Sequence, residues 1–284
     1  MFYIFSCVIW YKYVQLILKN YLAILIMYYF LLVFQGSNFD FLVNMAELVY
    51  FDLETTGLIE TDPRGMSGYP DILQIGAITS DCSDSFDKFI KPETRETTPE
   101  VEAVNNLKYD SKTETLYLKL ENDGQQRICK TVSIKTALLE FIIWLRNQNH
   151  RSGSKVVLVA YNAMKFDTPI LLKKIIEHNL KSEFLDTCSG FIDPFKAVCK
   201  LYPGYRSKSQ ENMLKSLKLM APHEFTSHNA IQDCNDLRRL TAKMAEDYVK
   251  KFPERTADHF YQKYLYFISC QELDEKMKHT CLVS

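Results

Sequence analysis

The run LVYFDLE (48–54) opens with leucine, β-branched and aromatic residues and predicts a buried strand, which Thr55, Thr56 and Gly57 bring to an end. Residues two apart in a strand share a face, so Asp52 and Glu54 converge while Phe51 and Leu53 turn the other way into the sheet packing. KVVLVAY (155–161) is apolar almost without interruption, the mark of a central strand, and its character changes at Asn162. Pro169 then sits where the first turn of a helix tolerates proline, and ILLKKIIEHNL (170–180) continues at helical spacing, which puts Asp167 at a helix N-terminus. TSHNAIQDCNDLRRLTAKMAEDYVKK (226–251) has apolar residues at Ile231, Leu237, Leu240 and Met244, consistent with an amphipathic helix of about six turns. Earlier in the chain, ETLYLKL (114–120) and RICKTVSI (127–134) flank ENDG and predict a β-hairpin, and TALLEFIIWLRNQ (136–148) predicts a helix.

The polar exceptions to this pattern carry the chemistry. Asp52, Glu54, Asp167 and Asp233 are hard oxygen ligands suited to Mg2+ or Mn2+, and acids gathered in one place usually have cations among them. His228 adds a group that takes a proton near neutral pH. Each has a bland alternative: D-x-E alone is a solvated strand end, Asp167 alone an N-cap, and His228 alone a surface or capping residue. His228 and Asp233 are five apart, about 140° around a helix, so they cannot share a helical face. His228 is therefore expected on the loop or first turn leading into the helix, with Asp233 inside it. Taken together, four acids and one histidine are equipment for hydrolysing a phosphodiester with two metals.

In their order and spacing the three runs resemble the DEDDh 3′–5′ exonucleases. That family has D-x-E in its first motif, N-x(2 or 3)-[FY]-D in its second and H-x4-D in its third, and all five functional positions match here. The resemblance covers roughly residues 45–250 and extends to ILQIGAI (72–78) and DKFIKP (87–92), which look like the family's second and third strands. It implies an α/β, ribonuclease H-like fold with a central mixed five-stranded sheet flanked by helices. It also implies that Asp52, Glu54, Asp167 and Asp233 hold two Mg2+ ions, with Mn2+ as a substitute, and that His228 deprotonates the attacking water. The products would be nucleoside 5′-monophosphates. LVAYNAMKFDTPIL and SHNAIQDCNDL resemble most the three-prime repair exonuclease branch and the exonuclease-like domain of some promyelocytic leukaemia proteins, which implies a DNA-repair setting. In that branch the residue six beyond the first aspartate, here Leu58, wedges against the terminal base; packing after the Gly turn is the equal alternative. Thr55, Asn162 and Lys165 complete the expected substrate contacts, Lys165 as a phosphate contact. The proline-rich insertion of the best-known repair exonucleases is missing, so no partner is expected to dock there.

Composition narrows the substrate and leaves the two ends open. The chain has 284 residues, is 47% hydrophobic and carries a net charge of -1, which argues against coating long nucleic acid and for engaging a 3′ end. Single-stranded DNA is the first expectation and RNA the second. A non-catalytic nucleic-acid-binding or scaffold module of the same fold is the alternative from another class. Lys200, Arg206, Lys208, Lys215 and Lys218, with Tyr202 and Tyr205 among them, read slightly better as a solvated face than as a nucleic-acid surface. The eight cysteines form no C-x-x-C pair, consistent with a reducing intracellular compartment, cytoplasm or nucleus. Residues 1–44 are a hydrophobic extension in which 21–34 are apolar throughout; membrane anchoring, or a start of translation at Met45, are the two readings. Residues 251–284 are expected to form a C-terminal helix and tail. The terminal CLVS fits the C-a-a-X pattern, which marks Cys281 for farnesylation and membrane association.

Overall fold

A computed structural model describes residues 47–61, 67–93, 96–120, 125–220, 229–257, 259–260, 266–270 and 272. All of them fall in the unit Met45–Ser284. Residues 1–44, His228 and Cys281, and with them the anchor, general-base and lipidation expectations, lie outside the described residues.

The strands in chain order are β1 (Leu48–Thr55), β2 (Glu60–Thr61), β3 (Ser67–Gly68), β4 (Ile72–Thr79), β5 (Ser85–Ile90), β6 (Leu107–Asp110), β7 (Thr115–Lys119), β8 (Gln126–Cys129), β9 (Thr131–Val132), β10 (Val156–Val159), β11 (Cys188–Asp193) and β12 (Tyr266–Ser269). The helices are α1 (Pro99–Asn105), α2 (Ile134–Ser152), α3 (Asp167–Glu177), α4 (Lys181–Thr187), α5 (Phe195–Leu201), α6 (Gln210–Ser216) and α7 (Ala230–Lys251).

Among the described residues, seven strands form the main sheet, in the order β12-β11-β10-β1-β4-β5-β9. The sheet is mixed: β1 runs parallel to β10 and antiparallel to β4, β10 and β11 are parallel, and β12 returns antiparallel to β11. The five central strands are those the resemblance implies. The two additions are short edge strands, β9 of two residues and β12 of four. β12 lies within residues 251–284, where Tyr266–Ser269 pairs with Gly190–Asp193 and continues the sheet.

Because β1 is central, both of its faces are covered. Val49, Phe51 and Leu53 join one core with Phe141 and Leu145 of α2 and with Ile170 and Leu171 of α3. Tyr50 faces the other, with Val157, Val159 and the α7 stripe of Leu237, Leu240 and Met244. Each such fully buried side chain contributes about 1.5–3 kcal/mol, so two helical layers clamp the strand that carries the D-x-E pair. Asp52 and Glu54 stand on the Tyr50 side, the face that α7 covers. The expected hairpin is present as β7 and β8, with Leu116 opposite Cys129, and β6 completes a separate three-stranded sheet. Its own small core is Leu73, Leu107, Leu116 and Cys129. The buried Asn105 just before β6 donates its side-chain N–H to the Thr55 carbonyl at 3.1 Å, tying this sheet to the end of β1.

Candidate metal centre

Three elements deliver carboxylates to one place. β1 contributes Asp52 and Glu54, whose strand pairing with β4 is regular up to a register shift between Glu54 and Thr55, an irregularity of the kind that re-aims side chains at functional strand ends. α7 contributes Asp233 from its first turn; Asn229 caps the helix by accepting the Ile231 N–H, and the Asp233 N–H reaches the Asn229 carbonyl at 2.9 Å. One oxygen each from Asp52, Glu54 and Asp233 lie within 4.8 Å of one another. α3 contributes Asp167, its first residue, which accepts the Leu53 N–H at 3.3 Å and so sits against the same strand between the two acids. A cleft of about 330 Å3 opens over the group, lined among others by Tyr161, Asn162, Phe166, Ser209, Gln210 and Glu211.

The electrostatics are those of acids crowded away from water. Burial first, then the charges of Asp233, Asp167 and Glu54, hold Asp52 well above the usual carboxylate range. Burial and then Asp233 and Asp167 push Glu54 up to about 8. Asp167 rises to about 7 through burial, with Asp193 and Asp233 adding to it and two backbone N–H groups opposing. A divalent cation is the partner such a set fits: four hard oxygen donors, two of them nearly inaccessible, whose joint ionisation costs free energy until positive charge stands among them.

The remaining expected contacts are distributed unevenly. Leu58 is 72% exposed just past the strand end. Thr55 is buried and its hydroxyl donates to the Gly57 carbonyl at 2.7 Å, a role in the turn. Asn162 lines the cleft with its backbone in the left-handed region, φ 54°. Lys165 is exposed on a single 3-10 turn, Ala163–Lys165, between Asn162 and Asp167. Of the basic stretch, Tyr202 donates its hydroxyl to Asp247 at 2.8 Å, Lys208 reaches the Tyr205 carbonyl and Lys215 pairs with Glu211, the pattern of a solvated protein face.

Several supporting residues escaped the sequence reading. Gln74 on β4 donates to Asp87 at 2.8 Å and accepts the Ala230 N–H at 3.4 Å, fixing the start of the helix that bears Asp233. Gln210 donates to the Asp233 carbonyl at 2.8 Å. Asp71 and Lys174 form a buried pair at 3.0 Å, and Asp71 exchanges two hydrogen bonds with Thr56, at 2.9 and 3.0 Å. Asp193 accepts backbone N–H bonds around the 3-10 turn. Only Asp193 had a visible signal, an aspartate before proline at the end of the apolar run GFI.

The family model of the Exuperantia RNAse H-like domain matches residues 47–219. The chain belongs to that family. The matched span of this Exuperantia-type RNAse H-like domain holds Asp52, Glu54 and Asp167 and ends before Asp233, which the fold brings back to them through α7. Two solved yeast structures are similar. One is the NOT1 MIF4G domain co-crystallized with CAF1, with 12% identity, TM-score 0.46, and coverage of 81% of this chain and 90% of that one. The other is the RNase domain of the Pop2 protein, with 13% identity, TM-score 0.43, and coverage of 80% and 87%. No curated protein matches the chain significantly. Among the described residues, no helix is long and apolar enough to cross a membrane.

Proposed function

We propose that this RNAse H-like domain is a divalent-metal-dependent 3′–5′ exonuclease. The observation that carries the reading is the convergence of Asp52, Glu54 and Asp233 within 4.8 Å, with Asp167 beside them, from three segments far apart in the chain. Bound Mg2+ or Mn2+ would supply a Lewis acid for the phosphodiester and positive charge for the developing oxyanion. The chain's own part is to hold Asp52 and Glu54 on one strand face, to bring Asp233 and Asp167 to it on helix starts, and to leave a cleft of about 330 Å3 open for a strand end. His228 enters the proposal from motif spacing, as the base that takes the proton of the attacking water.

The finer features rest on the motif resemblance: 3′ polarity, preference for single-stranded DNA over RNA and a repair role; an intracellular location rests on the cysteine usage. Farnesylation of Cys281 rests on the C-a-a-X ending, and mass spectrometry that found the last four residues intact would remove it. The test of the main reading is direct. The full chain is incubated with 3′- and 5′-labelled DNA and RNA oligonucleotides in Mg2+ or EDTA, beside Asp233→Ala and His228→Ala. Mononucleotide release from the 3′ end, dependent on metal and lost in Asp233→Ala, is expected. No release by the wild type in Mg2+ would replace the enzyme with a nucleic-acid-binding module.

A further inference from the structure

β10 leaves the sheet after Val159, and from there the chain must turn through Tyr161 to Phe166 to start α3 at Asp167. Its last sheet contact is the Ala160 N–H on the Ile192 carbonyl at 3.2 Å. Beyond that point the backbone donors of the turn have no strand to pair with, and orphaned donors at a buried site are costly. Lys165 and Phe166 donate to the Asn162 and Ala163 carbonyls, and one side chain answers for two of the others. Asp193, at the end of the neighbouring β11, accepts the Asn162 N–H at 3.0 Å on Oδ1 and the Met164 N–H at 3.3 Å on Oδ2. The same Oδ1 accepts the Phe195 N–H at 3.0 Å and so closes the first turn of α5. Asp193 is 5% exposed, and Tyr161 lies edge-on to Phe195 at 5.7 Å, shutting the turn from the other side.

We infer that Asp193 is the positioning residue of the candidate centre: its carboxylate holds the turn Asn162–Lys165 in register, and through it the place of Asp167 against β1. This rests on the metal-dependent reading above. The geometry explains why a carboxylate is required and an amide will not serve. Three N–H groups converge on two oxygens, and an asparagine has a single acceptor oxygen, so at least one backbone donor would face an amide N–H2. Asn162 holds a left-handed conformation at the head of this turn, and loss of the clamp lets the turn relax and carries Asp167 with it. Buried carboxylates that fix ligand-bearing loops behave like the outer-shell partners of metal sites, whose loss typically weakens metal binding about 10- to 100-fold.

The test measures Mn2+ binding to the full chain by calorimetry, wild type beside Asp193→Asn, at a temperature where circular dichroism shows both folded. An affinity at least about tenfold weaker in the variant is expected. In parallel, kcat is expected to fall and to recover as Mn2+ is raised, whereas the change in oligonucleotide KM that comes with displacing the cleft-lining Asn162 and Phe166 persists. A folded Asp193→Asn that binds Mn2+ as the wild type does overturns the inference and leaves the nuclease reading standing. A wild type that binds no Mn2+ overturns both. Should Asp193→Asn fail to fold, hydrogen exchange on the wild type decides. Amides of Asn162 and Met164 that are protected, and more so with Mg2+ added, support the clamp; exchange at open-chain rates, or without response to Mg2+, overturns it.

Discussion

Gly76 lies directly under Ala230: a β-carbon added to Gly76 would fall 2.6 Å from the Ala230 Cβ and 2.6 Å from its carbonyl carbon. Gly76 is also the β4 residue opposite Asp52, and its carbonyl accepts the Cys234 thiol at 3.4 Å. The absence of one methyl group therefore lets α7 approach the sheet closely enough for Asp233 to meet Asp52 and Glu54. Gly76→Ala is expected to push the helix start outward, to cost about 1–3 kcal/mol by overpacking and to abolish metal binding at this site. Urea unfolding and Mn2+ calorimetry check the two effects, and a variant that keeps wild-type affinity would show that the helix tolerates the displacement.

The acids make stability depend on pH with a definite sign. Glu54 moves from its ordinary 4.5 up to about 8 and Asp167 from 3.8 up to about 7, so in the metal-free protein the folded state holds protons that the unfolded chain has released. A raised carboxyl favours the folded state at low pH and loses that contribution as pH rises through the folded value. In EDTA the melting temperature is expected to fall between about pH 4.5 and 8, measured against a reference Asp233→Asn, in which one source of repulsion is gone and the slope is shallower. Mg2+ should reverse the trend, raising the melting temperature more at pH 8 than at pH 6. Equal shifts at the two values would mean that these carboxylates are not the ligands.

What could be read from the chain, and what could not, divides along the range of the interactions. The Asp52–Glu54 face follows from a period of two, and the start of α3 at Asp167 from Pro169 and the helical spacing after it, both local signals. Gly76 sits inside ILQIGAI with nothing nearby to say that a helix 154 residues later rests on it. Asp71 and Lys174 are 103 residues apart and each looks like an ordinary surface charge, yet the fold buries them together. β12 had an apolar, aromatic stretch to announce it, but its place at the sheet edge depends on pairing with β11, some 76 residues upstream.

That Asp71–Lys174 pair anchors the turn after β1. Lys174 comes from the helix that Asp167 begins, and Asp71 hands the connection on to Thr56 and, through its second oxygen, to the Glu93 N–H at 3.1 Å. Lys174→Met removes the buried cation of this pair and is expected to destabilise the fold by about 3–5 kcal/mol. Adding Asp71→Asn to the same chain should recover part of that loss, because the buried carboxylate's charge is then removed as well. Chemical denaturation of the wild type, the single variant and the double variant provides the comparison; a double variant less stable than the single would contradict it.

Leu58 separates folding from substrate engagement. Its side chain is 72% exposed beyond Gly57, close in sequence to Glu54, and nothing in the fold depends on burying it. Leu58→Ala is therefore expected to change unfolding free energy by no more than about 0.5 kcal/mol, the usual range for a surface position. If the side chain wedges against the terminal base, kcat/KM on single-stranded oligonucleotides should fall roughly tenfold, equivalent to about 1.4 kcal/mol of transition-state stabilisation. Mn2+ affinity should stay at the wild-type value, because no ligand has moved. The pairing of an unchanged melt with slower turnover is the result a merely structural leucine cannot produce, and an unchanged kcat/KM would take Leu58 out of the substrate path.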